Sequence, residues 1–165
     1  MVVRRAAACV LSAVLSMCVT AGLFAQGMQD AGMLTLTAEH SSGSFPVPKS
    51  TLATTASQLE ITITDIVNKD STPFSVFVYL DEEGNPSTKT KRTVVGNFSV
   101  FPPDRPGKYL LNARKALEKA REWEVGQAGG EVRLRLEMKR VHESRPWTDV
   151  EVKVATPQWK ADGIE

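Results

Sequence analysis

The chain has 165 residues, of which 42% are hydrophobic, and this is enough for one domain with a core of its own. Its 20 lysine and arginine residues are balanced by 19 aspartate and glutamate residues, which gives a formal net charge of +1. Because nucleic acids and anionic lipids bind strongly basic surfaces, this balance excludes both as partners.

Residues 1–25 have the layout of a secretory signal peptide. Arg4 and Arg5 precede an apolar run over residues 6–19, and small residues gather around Ala25. The apolar run is shorter than the roughly 20 residues of a membrane-spanning helix, so no membrane span is expected after cleavage. The sequence therefore predicts a Sec-type signal, a mature start between residues 26 and 28, and a secreted or periplasmic protein.

Both cysteines, Cys9 and Cys18, lie inside this signal. A mature chain without them has no disulfide, no thiolate nucleophile and no cysteine-ligated zinc. Lipidation of Cys18 stays open as an alternative, although the bulky Met17 before it disfavours a lipoprotein site.

Residues 26–57 are weakly patterned and are predicted to form an N-terminal arm. The alternation of apolar and polar residues over 33–37 indicates an edge strand. Residues 40–48 are rich in serine, glycine and proline and predict a loop or an extended segment.

Three strands are predicted next. Residues 59–65 alternate and are rich in β-branched side chains, which is typical of a half-buried strand. Residues 74–80 are apolar at nearly every position and predict a central strand covered on both faces. Residues 92–101 predict a third strand, in which Gly96 indicates a bulge or a close backbone approach, and the prolines after it must end the strand.

One helix and two more strands complete the domain. Asn112 is a typical N-cap, and the apolar residues after it recur at helical spacing. These residues are Ala113, Ala116, Leu117, Ala120 and either Trp123 or Glu124. Residues 131–139 and 149–154 alternate without interruption and predict two further half-buried strands.

These elements predict a mainly β fold, either a β-sandwich or a partly open barrel, of roughly six to seven strands with one helix. The predicted core residues are Val76, Val78, Phe98, Leu134 and Leu136. The predicted organisation is a signal peptide (1–25), an arm (26–57), a β-sandwich domain (58–157) and a frayed tail (158–165).

Residues with catalytic or metal-binding chemistry are few. His40 and His142 are far apart, and neither has a histidine or carboxylate partner at helical or strand spacing, whereas a metal site needs three or four ligands. Gly43 and Ser44 are not part of a Gly-x-Ser-x-Gly elbow, and the acidic residues 81–83 lack the spacing of a calcium loop. The sequence therefore predicts no metal, no cofactor and no enzymatic activity.

Several aromatic and proline residues are candidates for contact with a partner. Phe98 and Phe101 are three residues apart, so they point to opposite faces of an ideal strand. Phe101 is followed by Pro102 and Pro103, which stiffen a strand end where a side chain can leave the core. Trp147 is expected to cover the edge of the sandwich or to contact a partner. The candidate partner-binding residues are Phe101, Pro102, Pro103 and Trp147.

Several segments resemble the β-rich C-terminal domain of plant and bacterial polyphenol oxidases (tyrosinases). That domain is named for a Lys-Phe-Asp-Val sequence, of which Phe74 and Val76 are present here. The likeness extends from about residue 59 to residue 155. The segments that carry it are 74–80, 95–102, 110–117, 132–136 and 150–154.

The chain also departs from that family. Pro73 and Ser75 replace the lysine and aspartate of the naming motif, and residues 147–149 replace an expected pair of glycines. The copper domain, whose type-3 centre uses six histidines, is missing. In the family the β-rich domain packs over the entrance to the copper site and keeps the oxidase latent, so the resemblance implies a shield or companion and not an oxidase.

Two interpretations of function stay open. The first is an exported non-catalytic module that binds a separately encoded type-3 copper oxidase of the tyrosinase type. The second is a general envelope or extracellular structural or interaction module with no oxidase partner. A neighbouring gene for a six-histidine oxidase without its own C-terminal domain would favour the first.

Overall fold

The computed structural model describes residues 29–30, 32–83, 90–126, 131–145 and 147–161. The predicted signal peptide at residues 1–25 and the predicted mature start lie outside the described residues. The elements are, in chain order, β1 (Gln29–Asp30), β2 (Met33–Thr37), β3 (Ser42–Pro46), α1 (Lys49–Ala53), β4 (Ala56–Asn68), β5 (Phe74–Glu83), β6 (Arg92–Val100), β7 (Gly107–Asn112), α2 (Arg114–Gly126), β8 (Glu131–Arg140), β9 (Val150–Ala155) and β10 (Gln158–Ala161).

The strands form two antiparallel sheets. Sheet A has six strands in the order β1-β2-β9-β4-β10, and β7 also pairs with β4. Strand β7 pairs with residues 58–63 of β4 and so occupies one edge of that strand. Strands β10 and β9 pair with the other edge of β4, one after the other along its length. Sheet B has four strands in the order β3-β8-β5-β6.

Alternating side chains of the two sheets fill the space between them. All four inward residues of β8 are buried, as the alternation predicts, and so are the inward residues of β9 and Leu59, Ile61 and Ile63 of β4. The four in β8 are Val132, Leu134, Leu136 and Met138. The predicted β-sandwich is confirmed, with ten strands and two helices in the described residues instead of six to seven strands and one helix.

Phe98 is less buried than predicted. It faces the interior opposite Val76, but β6 is the edge strand of sheet B, so its ring is only half-buried. It stacks on Tyr109 of β7, with the ring centroids 4.0 Å apart. The expectation of full burial was wrong because periodicity gives the face of a strand and not the place of the strand in the sheet.

Strand β5 is central in sheet B, as predicted. The prediction that both of its faces are covered was wrong, because no further layer of described residues covers its outer face. Phe77 and Tyr79 on this outer face are half-buried. Lys139 Nζ lies 5.1 Å from the ring centroid of Phe77, and the guanidinium of Arg92 lies 5.0 Å from that of Tyr79. Cations from the neighbouring strands therefore cover part of these rings.

Gly96 marks a bulge, as predicted. The register between β5 and β6 shifts between Val78 and Tyr79, and Val95 is the extra residue opposite them. A Cβ atom at Gly96 would lie 3.4 Å from a methyl group of Leu111, which is an ordinary van der Waals contact, so of the two predicted roles the bulge is the one seen.

Two helices close one end of the sandwich. The predicted apolar face of α2, which includes Leu117 and Ala120, is buried against strands of both sheets. Asn112 is the last residue of β7, and its Oδ1 accepts a hydrogen bond of 3.1 Å from the backbone N–H of Arg114. Because α2 begins at Arg114, Asn112 lies one residue before the N-cap position and not at it as predicted, but its side chain still binds the first turn. Arg121 of α2 donates to backbone carbonyls beside α1 and joins the two helices.

Two segments that were predicted to be irregular belong to the sheets. Residues 42–46 of the predicted arm form β3, and residues 158–161 of the predicted tail form β10. A Cβ atom at Gly43 would lie 2.5 Å from the side chain of Leu34, so this glycine is a packing requirement between β2 and β3. In the sequence the same glycine, with its serine and proline neighbours, indicates a loop.

Candidate functional site

Four connections meet at the end of the sandwich opposite the helices. They join β2 to β3 (38–41), β4 to β5 (69–73), β6 to β7 (101–106) and β8 to β9 (141–149). This end, called the loop end here, contains all the predicted partner-binding residues. Connections held by a rigid sandwich are a common place for binding residues.

A buried asparagine fixes two of these connections to each other. Asn68 Nδ2 donates hydrogen bonds of 3.0 Å to the backbone carbonyls of Thr72 and Pro103. The backbone N–H of Thr72 donates to Asn68 Oδ1, also at 3.0 Å. Because Asn68 is buried, water does not compete well for these bonds, and the 101–106 connection is held firmly against the 69–73 connection.

Phe101 projects from this fixed connection. Its side chain is 86% exposed, the largest exposure among the exposed large apolar residues of the described chain. The residue before it, Val100, is buried, so the chain turns its phenyl ring out of the core at the end of β6. The peptide bond between Phe101 and Pro102 is cis.

Phe101 has apolar neighbours across the adjacent strand ends. Phe74 pairs with Val100, so Pro73 and Phe101 are the next residues beyond that pair. On the other side of Pro73 lies Val141, which is 49% exposed. The backbone N–H of Val141 donates a hydrogen bond of 3.0 Å to the carbonyl of Pro73. Phe101, Pro73 and Val141 thus form a row across three strand ends, called the apolar rim here.

Trp147 closes the core beside this rim. Its ring meets the ring of Phe74 edge to face, with centroids 6.0 Å apart, and it is half-buried. It also lines an open groove of about 600 Å³ together with Ser41, Arg140 and Glu143. Of the two roles expected for Trp147, covering the sandwich is the one its contact with Phe74 supports.

Ion pairs with shifted pKa values lie on the sheets. A hydrogen bond from Lys160 lowers the pKa of Glu60, and a hydrogen bond to Asp65 raises that of Lys153. The bidentate contact with Asp81 raises the pKa of Arg92. These are pairs between neighbouring strands, and their partners explain the shifts without a ligand.

The two histidines lie on different connections of the loop end, and both are exposed. Within the described ranges, no group of three or more His, Cys, Asp or Glu side chains is placed to hold a metal ion. Of the predicted acidic loop at residues 81–83, Asp81 pairs with Arg92 at 2.7 Å and the buried Glu82 pairs with Lys91 at 3.1 Å. These carboxylates belong to β5 and are not in a loop.

The structure thus places Phe101, Pro102, Pro103 and Trp147 at one end of the molecule. Sequence reasoning missed Asn68, whose context indicates only a turn, because nothing local places Pro103 next to it.

No helix among the residues described is both long and apolar enough to cross a membrane. No family model matches the chain, and no curated protein matches it. A role for the loop end therefore rests on its own side chains.

Proposed function

We propose that the protein is an exported, non-catalytic β-sandwich module that binds another protein through its loop end. The observation that carries this proposal is the exposure of Phe101, 86%, on a connection that Asn68 fixes to the sandwich. An exposed aromatic ring normally costs free energy in water, and aromatic anchors are typical of the residues that dominate protein interfaces. Because the connection is already ordered, little conformational entropy is lost when the ring enters a pocket.

The partner we propose is a separately encoded type-3 copper oxidase of the tyrosinase type. The support is the resemblance of residues 59–155 to the C-terminal domain of polyphenol oxidases, which in that family lies over the entrance of the copper site. In this proposal the apolar rim covers the entrance and Phe101 enters it. Phenolic substrates would then be excluded while the two proteins are associated.

The test is binding of the purified protein to a six-histidine oxidase from the same genome, measured together with the oxidation of a phenol. We expect Phe101→Ala to weaken binding by about tenfold or more, as for other aromatic anchors, and to relieve the inhibition of phenol oxidation. Its melting temperature should change little because the side chain is exposed. Leu110→Ala is the matched control, since Leu110 is 58% exposed on sheet A, away from the loop end.

Two outcomes would count against the proposal. If Phe101→Ala binds the oxidase as tightly as the wild type does, the loop end is not the interface. If the wild-type protein does not bind the oxidase at all, the oxidase is not its partner, and the general envelope or extracellular interaction module is the function to pursue.

A further inference from the structure

Sheet B has an outer face on which the described side chains are half-buried or exposed. On β5 this face carries Ser75, Phe77 and Tyr79, which alternate with the buried residues of the core. In the register of the sheet, Tyr79 lies between Arg135 of β8 and Val94 of β6. The face is therefore an antiparallel lattice in which aromatic, charged and hydroxyl side chains are neighbours.

Two aromatic rings lie in the middle of this face. Phe77 and Tyr79 are two residues apart on one strand, so their rings are side by side, roughly 7 Å apart along the strand. Both are half-buried, each with a cation from a neighbouring strand near the ring. Aromatic rings have a negative face, on which the slightly positive C–H groups of a sugar ring pack well.

Among the described side chains of the face, one guanidinium has no carboxylate at ion-pair distance. Asp81 pairs with Arg92 at 2.7 Å, Glu131 with Arg133 at 3.9 Å and Glu137 with Lys139 at 3.3 Å.

Arg135 differs from these three cations. Its Nη2 donates to Ser42 Oγ at 3.2 Å, and its Nε is buried without an acceptor among the residues described. The side chain is half-buried, and no described carboxylate lies within ion-pair distance of it. Since a guanidinium has five N–H donors in a planar fork, Arg135 keeps donors for the carboxylate of a ligand.

Small polar side chains surround the rings. Ser75 Oγ and Ser99 Oγ are hydrogen-bonded at 2.9 Å, and Asn97 is the partner of Phe77 in the register. Hydroxyl and amide groups both donate and accept, which is what the hydroxyl groups of a sugar require.

We propose that the outer face of sheet B binds an acidic polysaccharide, a chain of sugars that carry carboxylates. Arg135 pairs with a carboxylate, Phe77 and Tyr79 contact the sugar rings, and Ser75 and Asn97 bond to sugar hydroxyls. An acidic peptide could also satisfy Arg135 and bond to the hydroxyl and amide groups through its backbone. The two rings side by side favour the sugar ligand, because their faces suit the C–H groups of sugar rings.

This surface is separate from the one in the proposed function. The two surfaces share no residue: along β5, Ser75 is two residues from Pro73 of the apolar rim, roughly 7 Å, and Tyr79 is six residues from it, about 20 Å. Phe101→Ala should therefore not change polysaccharide binding, and loss of either activity leaves the other untouched.

The experiment is affinity electrophoresis of the purified protein in native gels that contain polygalacturonate, a linear chain of carboxylated sugars. We expect strong retardation by polygalacturonate and at least about tenfold weaker retardation by its methyl ester, which keeps the sugar rings but removes the charge recognised by Arg135. Polyglutamate, which has carboxylates without sugars, should also retard the protein weakly. Equal retardation by polyglutamate would overturn the sugar ligand in favour of an acidic peptide, and no retardation by polygalacturonate would overturn the site.

Two variants locate the binding on sheet B. Arg135→Gln and Phe77→Thr should each weaken retardation by about tenfold. Lys108→Gln removes the same charge as Arg135→Gln from sheet A, where Lys108 pairs with Glu60 at 3.5 Å, and should bind like the wild type. If Lys108→Gln and Arg135→Gln weaken binding equally, net charge and not this face is responsible. Melting curves check that each variant is folded. If a variant is unfolded, the comparison of the three polymers with the wild-type protein still tests the proposal.

Discussion

Asn68 shows how one polar side chain can position a surface. Its amide makes three hydrogen bonds to the backbone of the 69–73 and 101–106 connections, and it does so from a buried position at the end of β4. Each hydrogen bond of a buried amide contributes only about 0.5–1.5 kcal/mol to stability, but removal of the amide leaves several backbone groups without partners. The position of Phe101 therefore depends on a residue that is itself buried.

Asn68→Ala should lower the free energy of unfolding by about 3 kcal/mol, because the N–H of Thr72 and the carbonyl of Pro103 lose their partner. Asn97→Ala is the matched control: Asn97 is exposed on β6, and its loss should cost less than about 0.5 kcal/mol. Urea unfolding of the two variants measures the difference. Equal stabilities would mean that water replaces the Asn68 amide and that the connection is not held by it.

At the scale of elements, β10 is joined to β4 by more than its backbone. Lys160 of β10 donates to Glu60 of β4, and Lys108 of β7 lies 3.5 Å from the same carboxylate on the other side. Glu60 thus links three strands of sheet A. Its pKa is lowered, mainly by the hydrogen bond from Lys160, against the effect of burial, which raises it.

This lowered pKa gives the protein a defined response to acid. The carboxylate is easier to protonate in the unfolded chain than in the folded one, so its contribution to stability is present above the ordinary pKa of 4.5 and is lost as the pH falls through the folded value. Glu60→Gln should lower stability at pH 7 and make the loss of stability below pH 4.5 less steep.

Thermal unfolding between pH 7 and pH 3 measures this response. Glu131→Gln is the control, because its pair with Arg133 is 3.9 Å long and joins residues of the same strand. A variant at Glu60 with the same pH profile as the wild type would show that the Lys160 contact does not stabilise β10.

At the scale of the whole molecule, the sandwich carries its candidate surfaces on different parts. The helices close one end, the loop end carries the apolar rim, and the outer face of sheet B carries the paired rings and Arg135. All of these depend on one core between the sheets. Leu136 is central to it: it is fully buried, with Gly43 and Val78 as its neighbours in the register.

Leu136→Ala should lower the free energy of unfolding by about 3 kcal/mol, from the lost transfer energy and the cavity left behind. Leu110→Ala, the same change at an exposed leucine, should cost much less. Leu136→Asp would bury an unpaired charge and should prevent folding. Calorimetry of the two alanine variants tests the sheet assignment, and similar melting temperatures would contradict it.

The alternation in the sequence was sufficient to predict β8 and β9 and the buried face of each. Helical spacing of the apolar residues was likewise sufficient to predict α2 and its buried face. Local pattern failed at residues 42–46 and at residues 158–161, where strands are made by pairing with β8 and with β4. Those contacts join residues far apart in the chain, and no local period records them.

The sequence by itself therefore determined the mainly β class, the orientation of most strands toward the core, and the stiff Phe101-Pro102-Pro103 segment as a candidate contact. Only the tertiary structure decided that Phe101 leaves the core, that Asn68 holds its connection, and that Arg135 lies beside Tyr79 with no described carboxylate at ion-pair distance. The physical reason is that side-chain direction repeats along a strand, whereas exposure and partners depend on which strands become neighbours. Pairing across sheets A and B is a property of the folded chain as a whole.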